Sequence, residues 1–119
     1  MQTRGEPTRG ELYWLDWNPA RGSEQAGRRP ALIVTADAIN RRAPVVIVAA
    51  VTSRGTQRRY AFHVPVPRSV PTGLTMDSTV LCEQLMTVAK DRLEQRIGSL
   101  PPALMREVDE ALRVSLGLP

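Results

Sequence analysis

Glu11-Leu12-Tyr13-Trp14-Leu15-Asp16-Trp17 and Pro30-Ala31-Leu32-Ile33-Val34-Thr35-Ala36 are two strand-like runs held apart by the polar loop Gly22-Ser23-Glu24-Gln25-Ala26-Gly27-Arg28-Arg29. In the first run Leu12, Trp14 and Asp16 alternate with Tyr13, Leu15 and Trp17, the period of a pleated strand. In the second, Ala31-Leu32-Ile33-Val34 is continuously apolar, which predicts a strand buried on both faces. Asn18-Pro19 breaks the first run. Pro30 has no backbone N–H to donate, so it suits the first residue of the second strand and the end of the loop. Arg29 is then expected at the root of the loop, better fixed than a residue at its tip. A loop with two glycines and an arginine pair, set between rigid strands, is a place where a small protein can grip an anion.

Working outward, Asp37 is expected to cap a single helical turn through Arg42, its carboxylate accepting a backbone N–H. Pro44 to Val51 is the most hydrophobic run and predicts the central strand, ending at Thr52-Ser53. Arg54-Gly55 then opens a polar turn that carries Arg58 and Arg59. Tyr60, Phe62, Val64 and Val66 alternate with Ala61, His63 and Pro65, a half-buried strand. Pro65, Pro67, Pro71 and Gly73 make the next segment a loop or irregular edge. Ser78 to Leu85 and Met86 to Val88 read as strands, Lys90 to Leu93 as a turn, and Glu94 to Leu100 as a last short strand. Met1 to Arg9 reads as a frayed lead-in. Leu104, Met105, Val108, Ala111, Leu112 and Leu116 recur at intervals of three and four, giving a helix with one apolar face. Pro101-Pro102 starts it and Gly117 ends it. The expectation is a mainly β fold with α: a strongly curved antiparallel sheet or small barrel, its open side covered by the terminal helix.

The totals narrow the function classes. A chain of 119 residues, 42% apolar, is most simply one domain, residues 1–119, with one modest core. The longest apolar run, Val45 to Val51, is far too short to span a membrane. The polar N-terminus has no signal-peptide pattern, so a cytoplasmic location is expected. One cysteine, Cys82, allows no internal disulfide framework and no metal-ligand spacing. Charge is uneven: residues 1–60 hold ten Arg against five Asp or Glu, while residues 61–119 hold six Lys or Arg against seven acids. The excess of positive charge thus belongs to the half with the arginine loop, which suggests a polyanionic partner such as nucleic acid.

Read residue by residue, Arg28 is a solvated loop charge, whereas Arg29 is restrained by Pro30 and can bind two phosphate oxygens while staying charged. Thr52 and Ser53 are either plain strand terminators or, beside an arginine, hydroxyl donors to a phosphate oxygen. Glu24 is either a base or an acceptor that holds the loop. His63 is the single histidine, so acid–base catalysis by a histidine pair is excluded within one chain; it reads as a strand residue on the polar face. Asp77-Ser78 shapes a turn, Cys82 is a core residue, and Glu83 and Gln84 form an ordinary polar strand face.

Several of these pieces recur together in a known family. Arg9-Gly10-Glu11-Leu12-Tyr13, Asp16-Trp17-Asn18-Pro19, Gly22-Ser23-Glu24-Gln25 through Arg29-Pro30, and Ile47-Val48-Ala49-Ala50-Val51-Thr52 come in that order. Asp77-Ser78, Glu83-Gln84-Leu85, Lys90-Asp91-Arg92-Leu93 and Glu107-Val108-Asp109-Glu110-Ala111-Leu112 follow. Taken together they resemble the MazF/PemK toxins of bacterial toxin–antitoxin systems, sequence-specific endoribonucleases or mRNA interferases. The chain departs from the family's usual pattern at Met86 and Ala89, where members often carry Arg and Asp.

The resemblance implies an SH3-like small barrel with a C-terminal helix, acting as a homodimer. It implies cleavage of single-stranded mRNA without a metal or other cofactor, the ribose 2′-hydroxyl attacking the adjacent phosphate to leave a 2′,3′-cyclic phosphate and a 5′-hydroxyl. Arg29 and Thr52 take the positions of the family's catalytic pair, and the proton acceptor stays open between Arg29, Glu24 and water. Residues expected along the RNA are Ser23, Gln25, Arg28, Ser53 and Arg54. Arg58, Arg59, Asp77, Ser78, Glu83 and Gln84 extend that path. A cognate MazE-like antitoxin with a disordered tail would cover the same groove and compete with RNA. The alternative reading is a non-enzymatic poison resembling CcdB, which shares the fold and binds DNA gyrase. Its mark would be a binding epitope at the end of the terminal helix, and Val114-Ser115-Leu116-Gly117-Leu118-Pro119 has no obvious one.

Overall fold

The computed structural model describes residues 5–17, 27–54 and 60–119. Six strands, β1 (Glu11–Asp16), β2 (Arg28–Ile33), β3 (Val45–Thr52), β4 (His63–Val66), β5 (Ser78–Ala89) and β6 (Arg96–Ser99), form one sheet in the order β4-β5-β3-β2-β1-β6. Every pairing is antiparallel. A short helix α1 (Asp37–Asn40) follows β2, and α2 (Pro102–Leu116) closes the chain.

Both faces of the sheet are apolar because the strands alternate. Leu12, Leu32, Ala49, Val51, Val64, Val66 and Val80 meet Val108 and Ala111 of α2 on one face. Tyr13, Leu15, Ala31, Ile33, Val48, Ala50 and Leu81 fill the other. Residues 31–33 are fully buried, as a two-faced strand requires.

The sheet bends where β5 slips against β3. Ala49 pairs with Leu85 and Ala50 with Leu81, so Cys82, Glu83 and Gln84 are extra residues on the β5 side. Extra residues of this kind bend a strand and increase its twist. Two expected strands, Ser78 to Leu85 and Met86 to Val88, are therefore one long bent strand. The loop after β4 comes back to β6 at the opposite end of the sheet, where the Ser99 N–H donates to the Pro71 carbonyl at 2.9 Å. Gly98 and Gly73 permit that meeting: a Cβ on Gly98 would lie 2.4 Å from the Thr72 carbonyl oxygen, and one on Gly73 2.2 Å from that of Ile97. The result is the expected mainly β half-barrel with a C-terminal helix.

Some local expectations change. β2 begins at Arg28, so Pro30 is its third residue and the two arginines belong to the strand, not to the loop. Trp14 spends its backbone N–H and C=O on Gln95 and Glu94, so the Trp14–Pro30 pair needs no bond from a proline nitrogen. The ladder toward β3 stops at Ala31, where the next donor would be Pro30. Asp37 is the first helical residue, after Ala36, and caps nothing in its own helix. Its Oδ1 instead accepts the Arg9 N–H at 2.7 Å, which holds this carboxyl below its ordinary 3.8 against the opposing effect of burial. The end of the lead-in is consequently anchored: Arg9 also donates to the Val34 carbonyl and pairs with Asp109. β4 spans only His63–Val66, because Tyr60 to Phe62 turn back, with the His63 N–H on the Tyr60 carbonyl. Leu116 is exposed, so the buried stripe of α2 ends earlier than its spacing suggests.

Candidate active site

The β2–β3 register decides which polar residues meet. Ile33 pairs with Val48, Leu32 with Ala49 and Ala31 with Ala50. The paired register ends at Ala31–Ala50; Arg29 lies two residues beyond it on β2 and Thr52 two residues beyond it on β3, so strand alternation gives both the same face. That face is the one holding Ala31, Ile33, Val48 and Ala50. On the far side Arg29 is backed by Leu15, its β1 partner, and Thr52 by Thr79, its β5 partner. Arg29 is half-buried and Thr52 is 6% exposed. The Thr52 hydroxyl oxygen accepts the Arg54 N–H at 3.1 Å, which leaves its proton available to donate.

Arg28 goes the other way. Its guanidinium lies 4.5 Å from the centre of the Trp14 ring, and its Nε donates to Glu94 at 2.6 Å. Arg28 is thus exposed, as expected of a solvated charge, but it is a strand residue placed over an aromatic ring, a favourable contact for a cation. Trp14, Arg28, Arg29, Pro30, Val51, Ser53, Leu74, Met76 and Ser78 surround a cleft of about 390 Å³ at this end of the sheet. Arg29 therefore lines the cleft, and Thr52 is not among its lining residues.

Other candidates divide. Ser53 lines the cleft, and Arg54 follows it, exposed. Ser78 also lines it, but the Ser78 hydroxyl donates to the Met76 carbonyl at 2.9 Å, and Asp77 accepts the Arg68 N–H. Both residues shape the turn, as their types suggest. Glu83 and Gln84 sit at the slip in β5 and do not line the cleft; Glu83 pairs with His63 at 2.9 Å. Ser23, Glu24, Gln25, Arg58 and Arg59 lie outside the described residues. Cys82 is fully buried, as expected of a core residue.

Trp14, Glu94 and Thr79 were not among the residues singled out for chemistry. Alternation in β1 already separates Trp14 from Tyr13 and Leu15. Glu94 reaches Arg28 across 66 positions, and Thr79 meets Thr52 only through the register of a bent strand. Neither leaves a local signal.

The protein compares closely with known toxins. The family described as PemK-like, MazF-like toxin of type II toxin-antitoxin system matches residues 8–116. An Endoribonuclease MazF of Staphylococcus saprophyticus is 41% identical over 110 residues, 92% of this chain and 91% of that protein. An endoribonuclease from a mycobacterial species, solved in complex with its cognate antitoxin, superposes with a TM-score of 0.79 at 30% identity, covering 95% of this chain and 97% of the other. The crystal structure of MazF from Deinococcus radiodurans gives 0.79 at 30% identity, over 97% and 100% of the two chains. A family match over nearly the whole chain, a relative of this identity and the shared half-barrel agree, and this chain belongs to the PemK-like, MazF-like toxins of type II toxin–antitoxin systems.

Proposed function

We propose that this endoribonuclease toxin cleaves single-stranded RNA at a phosphate held jointly by Arg29 and Thr52. The ribose 2′-oxygen attacks the adjacent phosphorus, the bond from phosphorus to the next 5′-oxygen breaks, and the products carry a 2′,3′-cyclic phosphate and a 5′-hydroxyl. Negative charge grows on the non-bridging oxygens as the phosphorane forms. A fixed guanidinium and a hydroxyl donor aimed at those oxygens stabilise that charge more than they stabilise the substrate. Glu24, the one carboxylate that the sequence places in the loop before β2, takes the 2′-proton, and water gives a proton to the leaving 5′-oxygen.

The observation that supports this reading is the antiparallel pairing of β2 with β3, strands whose ends carry Arg29 and Thr52. The antitoxin is expected to occupy the same strand ends, the protein to act as a homodimer, and the site of action to be the cytoplasm. An endoribonuclease relative solved with its cognate antitoxin supports a partner of that kind. Arg29→Ala and Thr52→Val should each lower kcat on a long single-stranded RNA by about 10²–10³, the usual cost of one preorganised donor. Glu24→Gln should lower it as well. Mapping of cut sites and end groups, with chelator present, is the measurement. Wild-type cleavage by Arg29→Ala, or ends bearing a 5′-phosphate, would remove this mechanism.

A further inference from the structure

Thr79 stands directly across from Thr52 in the β3–β5 register, with Pro65 as its neighbour on β4. It is fully buried, and its hydroxyl has no hydrogen-bond partner among the described residues. A hydroxyl taken out of water without a partner costs free energy, and such groups are rare in native interiors. Valine would fill the same space in a strand without that cost. The position opposite Thr79 is where an explanation lies: opposed side chains share a face with Cβ atoms about 4.5–5.5 Å apart, and cross-strand threonine pairs are able to hydrogen-bond.

A threonine hydroxyl has one proton to give and two lone pairs that accept. On Thr52 one lone pair already takes the Arg54 N–H. We propose that Thr79 is a positioning residue for Thr52: in the RNA complex the Thr79 hydroxyl donates to the second Thr52 lone pair, so the Thr52 proton points at the phosphate oxygen. The chain of donors then runs from Thr79 to Thr52 to phosphate, each oxygen polarising the next. Thr79 touches no substrate atom, and only hydrogen bonds are exchanged. This inference rests on the Arg29–Thr52 reading.

The test is a set of variants assayed for single-turnover cleavage and for RNA affinity. Thr79→Val keeps the shape and removes the hydroxyl, so its unfolding midpoint should hold or rise. Its kcat should fall about tenfold with KM unchanged, the effect of one hydrogen bond realised in the transition state. Thr79→Ser, which restores the hydroxyl, should recover most of the rate. In a Thr52→Val background, Thr79→Val should cost nothing more, since its one route to the phosphate is gone. Thr79→Ala against Thr79→Ser gives the same comparison should the valine variant misfold. Wild-type kcat in Thr79→Val, a loss confined to KM, or an undiminished loss in the Thr52→Val background would each overturn the proposal. If Thr52→Val itself cleaves normally, the Arg29–Thr52 mechanism fails instead.

Discussion

At the scale of single residues, the contrast is between two arginines adjacent in sequence and opposite in surroundings. Strand alternation sends Arg28 to Trp14 and Glu94, and Arg29 to the face of its β1 partner Leu15. An Arg-to-Lys exchange at position 28 would keep the charge but lose the planar stack. Cys82 shows how strongly burial decides chemistry. Removal from water pushes its thiol up to about 12, helped by the negative charge of Glu83. Only the thiolate is a strong nucleophile. The folded protein should therefore resist alkylation by iodoacetamide at pH 8 and react on addition of denaturant. Rapid labelling of the native protein would contradict the burial described for this residue.

At the scale of elements, the wall of the cleft depends on two glycines. Among the described residues the Pro67 to Asp77 loop reaches β6 through the Ser99 N–H on the Pro71 carbonyl. Its close approach to β6 is possible because no Cβ stands between them at positions 73 and 98. Leu74 and Met76, further along the same loop, line the cleft. Gly98→Ala would place a methyl group 2.4–2.6 Å from the backbone oxygens of Thr72 and Pro71, which cannot swing aside as a flexible side chain would. The expected cost is about 1–3 kcal/mol, the range for overpacking, read from the urea midpoint, with reduced cleavage as the loop shifts. Gly5→Ala, with nothing within 4 Å of its Cβ, is the control and should leave both unchanged. Equal midpoints for the two variants would show that the loop does not lean on β6.

At the scale of the whole molecule, charge and fold act together. Ten of the sixteen basic residues belong to residues 1–60, the half that supplies β1, β2 and β3. An RNA that neutralises three of its phosphates on such a surface should bind about twentyfold more weakly at 200 mM than at 50 mM salt, given a slope near −0.7 per phosphate on single strands. Affinity measured by fluorescence anisotropy with catalytically inactive Arg29→Ala would underestimate the slope by one contact, so Thr52→Val is the better background. Salt-independent binding would mean that recognition is not carried by phosphates. No helix among the described residues is long and apolar enough to cross a membrane.

The sequence by itself determined the elements whose signal is local. Alternation in residues 11–17, the apolar run at 45–51 and the three-and-four spacing before Gly117 each express one strand or helix burying one face, and all three are present. The resemblance carried by short motifs in family order singled out Arg29 and Thr52. Tertiary structure decided what depends on pairing between distant strands. That Pro30 lies inside β2, that β5 is one strand bent at Cys82 to Gln84, and that Glu94 reaches Arg28 are consequences of register and curvature. Thr79 is the clearest case. As a letter in the chain it is an ordinary strand threonine; its burial without a partner, and its place beside Thr52, exist only once β3 and β5 are laid side by side. Periodicity says which face a residue takes, but the opposite strand says what it meets there, and that is fixed by hydrogen bonding between segments far apart in the chain.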